Sequence, residues 1–143
     1  TLAPADLRGV KAALGALRKG EAVGVLPDQC VRADNGVQAD LFGRPAMTMT
    51  LINRLTRKTG AELYMISAER KADGKSFYIR LEPALPGFDS ADEVAGATAL
   101  NTSVERSVTA CSEQYWWSYE RYRRQPRPAF RNPYKHPEDV PDA

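Results

Sequence analysis

Asp28 and Gln29 stand together just past a short apolar run, Ala22 to Leu26, with Pro27 between. Arg32 and Arg44 follow on the same polar stretch. A carboxylate and an amide at the exit of a strand are site candidates, because open α/β sheets bind ligands beyond the carboxyl ends of their strands. Arginine adds a planar fork that pairs two-pronged with phosphate or carboxylate. These four side chains could together hold a phosphorylated substrate. A turn begun by Asp28, or a surface ion pair of Asp28 with Arg32, accounts for the same residues.

Other chemistry has less support. Cys30 lies in the same loop, but a reactive thiolate needs a neighbouring base or positive charge. The single histidine, His136, lies in a proline-rich tail. One histidine and two distant cysteines, Cys30 and Cys111, give no metal-ligand spacing. Neither standard glycine-rich phosphate loop is present. No metal or cofactor is expected. Asn101 and Glu105 lie one turn apart, on or beside an apolar helical stripe. Buried polar groups need partners, so the pair is expected to fasten a neighbouring backbone segment.

From Gln114 to Arg131 aromatics and arginines interleave, with Trp116 and Trp117, Tyr119, Arg121, Tyr122 and Arg123 at the centre. This mixture suits a membrane interface with anionic headgroups. It also suits single-stranded nucleic acid. Packing of Tyr115, Trp117 and Tyr122 in the core, with solvated arginines, is the plainer reading. Some of the aromatics are expected to pack, and the arginines to face an anionic partner.

The elements that must position these residues follow from periodicity. Leu7, Val10, Leu14 and Leu17 recur at helical spacing, and Gly20 is a natural stop. Ala22 to Leu26 is apolar without alternation, as a strand covered on both faces should be. Asp28 to Arg44 reads as a loop with a turn at Asp34-Asn35-Gly36. Pro45 suits the first turn of a second helix, whose buried side is Met47, Leu51, Ile52 and Leu55 and whose end is Gly60. Leu63 to Ile66 is the next strand. This order predicts a mainly parallel sheet flanked by helices.

Asp73-Gly74 then marks a hairpin. After it Phe77, Ile79 and Leu81 alternate with Tyr78, Arg80 and Glu82, as in an antiparallel strand with one wet face. Ser90 with Glu93 forms a capping box for a third helix, lined by Val94, Ala97, Asn101, Val104, Val108 and Cys111.

The 143 residues suffice for one compact domain, with 43% hydrophobic and 27% charged residues. The net charge of +2 is too small to imply a polyanion partner by itself. Two cysteines do not make a disulfide framework, which points to a reducing compartment. No signal peptide or membrane-spanning run is evident, and the chain begins with Thr1 rather than methionine. Residues 1–126 read as the domain, and 127–143 as a proline-rich tail expected to be irregular.

Five segments occur in a telling order: GEAVGVLPDQ (Gly20 to Gln29), LFGRPAMT (Leu41 to Thr48), KTGAELYMI (Lys58 to Ile66), Asn101-x-x-x-Glu105, and SEQYWWSYERYRRQP (Ser112 to Pro126). Together they resemble the late acyltransferases of lipid A biosynthesis, the lauroyl and myristoyl transferases of Gram-negative bacteria. The resemblance runs from about Leu7 to Pro128. It implies transfer of a fatty acyl chain from acyl carrier protein to a hydroxyl of a lipid A precursor, at the cytoplasmic face of the inner membrane. It also implies a fold similar to that of the glycerol-phosphate acyltransferases, with a membrane surface and no nucleic acid as partner. The alternative is a non-enzymatic module that binds anionic lipid or nucleic acid through the Trp/Tyr/Arg segment.

The resemblance implies that Asp28 and Gln29 order the acceptor site. It matches Val25-Leu26-Pro27-Asp28 to a phosphate-binding Phe-Pro-Glu-Gly block of the glycerol-phosphate enzymes. Arg32 and Arg44 are expected near phosphate or carboxylate groups on charge alone. Trp117, Arg121 and Arg123 are expected to meet an anionic headgroup or to serve structure. Tyr119 stands where many relatives carry histidine, which argues against acid–base work there, and Ser112 replaces a frequent proline. A sister branch acting on phosphatidylinositol mannosides more often shows Asp-Arg-Asp where this chain has Asp28-Gln29-Cys30, so Gln29 favours the lipid A branch.

In that superfamily a His-x-x-x-x-Asp/Glu motif supplies the general base. Here no histidine precedes His136, and Pro141 stands at the required fifth position after it. The chain is therefore expected to be the carboxy-terminal part of an acyltransferase, without the catalytic dyad or the hydrophobic anchor, and inactive alone.

Overall fold

A computed structural model describes residues 6–124 and 131–139. The protein is α/β, and it is built around one long helix rather than around a sheet. Helix α1 (Leu7–Arg18) opens with the Asp6 carboxylate accepting from the backbone N–H groups of Arg8 and Gly9, at 2.8 and 3.0 Å. Such a cap satisfies donors that the first turn cannot.

Residues 21–26 carry no regular secondary structure and pair with no strand among the described residues, so the expected strand at Ala22 to Leu26 has no ladder. Its alternate side chains Val23 and Val25 turn inward, and Leu26 is 63% exposed.

The stretch expected to be a loop carries a 3-10 turn (Ala33–Asn35) and strand β1 (Gly36–Leu41). Pro45 does not start a helix; it lies within strand β2 (Arg44–Met49). A proline is tolerated on an edge strand of a small sheet, where its missing N–H faces away from the partner. The two strands pair antiparallel, from Gly36 opposite Met49 to Leu41 opposite Arg44. Helix α2 (Leu51–Thr59) then buries Ile52 and Leu55 and ends at Gly60 in the left-handed conformation, as expected.

Strand β3 (Tyr64–Arg70) and strand β4 (Phe77–Pro83) form a second antiparallel pair through the Asp73-Gly74 turn. The described strands thus make two antiparallel pairs, not the expected parallel core. Strand β4 has both faces exposed rather than one.

Helix α3 (Glu93–Thr109) is capped by Asp92, whose side chain accepts from Val94 N, in place of the expected Ser90–Glu93 box. Glu93 instead pairs with Arg54 of α2. The buried face of α3 is small: Gly96, Ala97, Leu100, Asn101, Ser103, Val104 and Val108. Small residues let the β1–β2 hairpin approach closely. Leu41 and Ala46 pack there on Val104 and Val108, while Met49 and Ile52 pack on Leu100. Burial of each such large aliphatic stabilises by roughly 1.5–3 kcal/mol.

The tail expectation for 127–143 falls in part on residues 127–130 and 140–143, outside the described residues. Residues 131–139 form turns and one 3-10 turn (Pro137–Asp139). Among the described residues no helix is long and apolar enough to cross a membrane.

Candidate functional site

The site is assembled by the segment that follows α3, folding back across the β1–β2 hairpin and the 27–30 loop. Its foundation is Asn101, 1% exposed. The Asn101 amide donates to Asp40 O at 2.8 Å, to Ala39 O at 3.3 Å and to the Thr48 hydroxyl at 2.9 Å. Glu105, one turn on, accepts from Phe42 N at 2.5 Å. The Asn101/Glu105 pair therefore fastens the backbone of the hairpin end, as the sequence spacing led one to expect.

Thr48 also receives Arg121. That guanidinium is 3% exposed, and it donates to Met47 O at 2.7 Å and to Thr48 Oγ1 at 3.0 Å. No carboxylate bonds it among the described residues, and burial pulls its pKa down. A charge so deep in the protein faces β2 and not an outside anion.

Two tyrosines carry this anchorage to the loop. The Tyr115 hydroxyl donates to the Asp28 carboxylate at 3.3 Å across 87 residues of chain. Cys30 N donates to the Tyr119 hydroxyl at 2.9 Å across 89 residues. Burial first, and the nearby Asp28 charge second, push the Tyr115 hydroxyl up to about 12, so it stays a neutral donor at any ordinary pH. Arg123 lies over the Tyr119 ring, 5.1 Å from its centre.

Of the four residues expected to act together, only Asp28 lines the main cavity. That cleft of 830 Å³ runs from Asp28 and Tyr115 along Val25, Leu63, Leu100 and Val104. Gln29 is adjacent and exposed. Arg32 points outward and pairs with Asp34 at 3.4 Å. Arg44 lines a separate groove with Phe42, Trp117 and Tyr134. Tyr115 and Tyr119 were not expected to hold the loop. Their only sequence signal is their place in the closing aromatic segment, because contacts across nearly ninety residues leave no local pattern.

The model of the family "Bacterial lipid A biosynthesis acyltransferase" matches residues 3–124, and the chain belongs to that family. It is 31% identical over 122 residues to a lipid A biosynthesis palmitoleoyltransferase of Escherichia coli K12, covering 85% of this chain and 39% of that protein. It is 32% identical over 124 residues to a lipid A biosynthesis lauroyltransferase of the same organism, covering 85% and 40%. A lipid A biosynthesis acyltransferase of Haemophilus influenzae is 29% identical over 109 residues, covering 76% and 34%. The chain thus spans about two fifths of the length of the curated relatives it matches most fully.

Proposed function

We propose that this protein is an acyltransferase of lipid A assembly. It moves a fatty acyl chain from acyl carrier protein to a hydroxyl of a lipid A precursor, at the cytoplasmic face of the bacterial inner membrane. The observation that carries this reading is the clamped loop. Asp28 is fixed at the mouth of an apolar cleft by Tyr115, and the backbone beside it by Tyr119. Joining a fatty chain to a sugar-linked hydroxyl calls for that juxtaposition: apolar walls for chains, and a rigid polar lip for the acceptor.

In the reaction the acceptor hydroxyl attacks the thioester carbonyl of the donor. A C–O bond forms, the C–S bond breaks, and the hydroxyl proton passes through a general base to the leaving thiolate. Asp28 and Gln29 orient the acceptor. Asp28 is not the base in this reading; Tyr115 holds it through one oxygen, which leaves the carboxylate a fixed acceptor for the substrate. The 143 residues contain no His-x-x-x-x-Asp/Glu spacing, so the base is assigned to such a motif elsewhere in the polypeptide. The cleft is then one wall of the active site. In the same reading the Glu21 to Leu26 segment joins a mainly parallel sheet of the glycerol-phosphate acyltransferase type.

The test has two arms. The reading frame upstream of Thr1 is expected to encode the His-x-x-x-x-Asp/Glu motif; a frame whose initiator methionine immediately precedes Thr1 sinks the enzyme reading. In the protein made from the whole frame, Asp28→Asn is expected to cut acyl transfer by about tenfold to a hundredfold with an unchanged unfolding midpoint. Wild-type kinetics in that variant would remove the acceptor role.

A further inference from the structure

The turn between β1 and β2 is built from two residues at positive φ, Phe42 at 50° and Gly43 at 70°. Glycine adopts this conformation freely, whereas an aromatic residue there is a backbone outlier. Phe42 is held in it by Glu105, which accepts from Phe42 N, and by Tyr122, whose hydroxyl donates to Leu41 O at 2.8 Å. The strained backbone leaves the ring 40% exposed. Trp117 stands beside it, ring centres 6.0 Å apart and 57% exposed. The Trp117 indole N–H is already satisfied by Ser112 O at 2.7 Å, so what it presents outward is apolar ring. Tyr134, 42% exposed, completes the rim.

These rings bound a groove of 520 Å³ in which Arg44 is the one charged lining residue among the described residues. Arg44 is exposed and has no carboxylate partner among the described residues. Glu105, beside the turn, has its carboxylate engaged by Phe42 N. Rigid exposed aromatics around a lone cation suit the interface of a bilayer, where amphipathic rings sit at headgroup depth and arginine meets lipid phosphate; binding of a single-stranded oligonucleotide in place of vesicles would argue against that occupant.

We propose that the Phe42–Trp117–Tyr134 rim with Arg44 is a membrane-docking surface that seats on anionic phospholipid. The inference leans on the acyltransferase reading only for the reason to visit a membrane. The seating itself requires no catalysis.

The experiment is equilibrium partition of the 143-residue chain onto vesicles of phosphatidylcholine with and without phosphatidylglycerol. Phe42→Gly is the chief variant, because glycine suits the positive φ and keeps the turn. It is expected to fold as well as wild type yet to bind the anionic vesicles about tenfold more weakly. Trp117→Ser is expected to do the same, and Arg44→Gln to weaken binding to anionic but not neutral vesicles. In a Trp116→Phe background, Trp117 fluorescence is expected to be quenched by lipids brominated near the headgroup. Unchanged partition in both ring variants, absent quenching, or release of the chain by inorganic phosphate alone would overturn the proposal. So would a groove filled by a second copy, seen as a dimer that Phe42→Gly dissociates. Transfer to a detergent-dispersed acceptor by the whole-frame protein is read separately. Loss of vesicle binding with transfer intact, or the reverse, then tells which reading has failed.

Discussion

At the scale of single residues the site rests on hydroxyls rather than on the charges that stand out in the sequence. Asp28 stood out in the sequence as a candidate because an acid follows an apolar run and a proline. Its partner Tyr115 did not, since 87 residues separate them. Arg121 was expected to meet an anionic headgroup or to serve structure, and it serves structure, as one of the deepest side chains, bonded to Met47 O and Thr48. Composition cannot distinguish an arginine that faces an anion from one that replaces it with backbone carbonyls. The Tyr115–Asp28 bond makes an alkaline prediction. Because the folded-state pKa of Tyr115 is raised to about 12, the native state holds its proton after the unfolded chain has released one. Its contribution is whole below about pH 10, the ordinary tyrosine value, and is lost as pH climbs from there through the folded value. Allowing for partial exposure, the loss is on the order of 1 kcal/mol. Tyr115→Phe is expected to flatten that limb of a stability-versus-pH curve measured by urea unfolding; an unchanged slope between the two pKa values would show that burial and the Asp28 charge do not hold the Tyr115 proton.

At the scale of elements, the first and third helices and the Asp73-Gly74 turn were read correctly, the second helix was started too early at Pro45, and the first hairpin was missed. Gly60 and Asp73-Gly74 are punctuation that local physics enforces, and both hold in the fold. The first hairpin turns at Phe42-Gly43, which is not a recognised turn pair, and Pro45 imitates a helix start. The alternation Val37, Gln38, Ala39, Asp40, Leu41 was the available signal, overshadowed by the polar residues around it. What makes this hairpin stable is tertiary: it sits on α3 through Asn101. Replacing Asn101 by alanine leaves the carbonyls of Ala39 and Asp40 and the Thr48 hydroxyl without that donor in a buried place. The expected cost is about 2–4 kcal/mol, the penalty of orphaned buried polar groups. It would be read as a lower urea midpoint at unchanged m value. A shift under about 0.5 kcal/mol, the range of ordinary surface changes, would mean that the hairpin is seated by its apolar contacts alone.

At the scale of the whole molecule, apolar surface is left open on one side. Ile66 and Leu81 face each other across β3 and β4 while 71% and 64% exposed, and Leu26 lies exposed in the unpaired stretch beside the cleft. The sequence pattern assigned Leu63 to Ile66 to a strand of a mainly parallel sheet, and pattern alone cannot say which chain segment lies against it. In relatives more than twice as long, more polypeptide is available for it. Contiguous apolar surface of this kind drives association when left in water. The 143-residue chain is therefore expected to self-associate with rising concentration in sedimentation runs. Ile66→Lys with Leu81→Thr should shift it toward monomer at little cost in stability, because both side chains are already solvent-facing. Vesicle docking through Phe42 and Trp117 uses different residues from this ribbon. The paired ribbon variant should therefore keep its partition onto anionic vesicles while losing its association, and loss of both together would mean that one shared surface does both jobs.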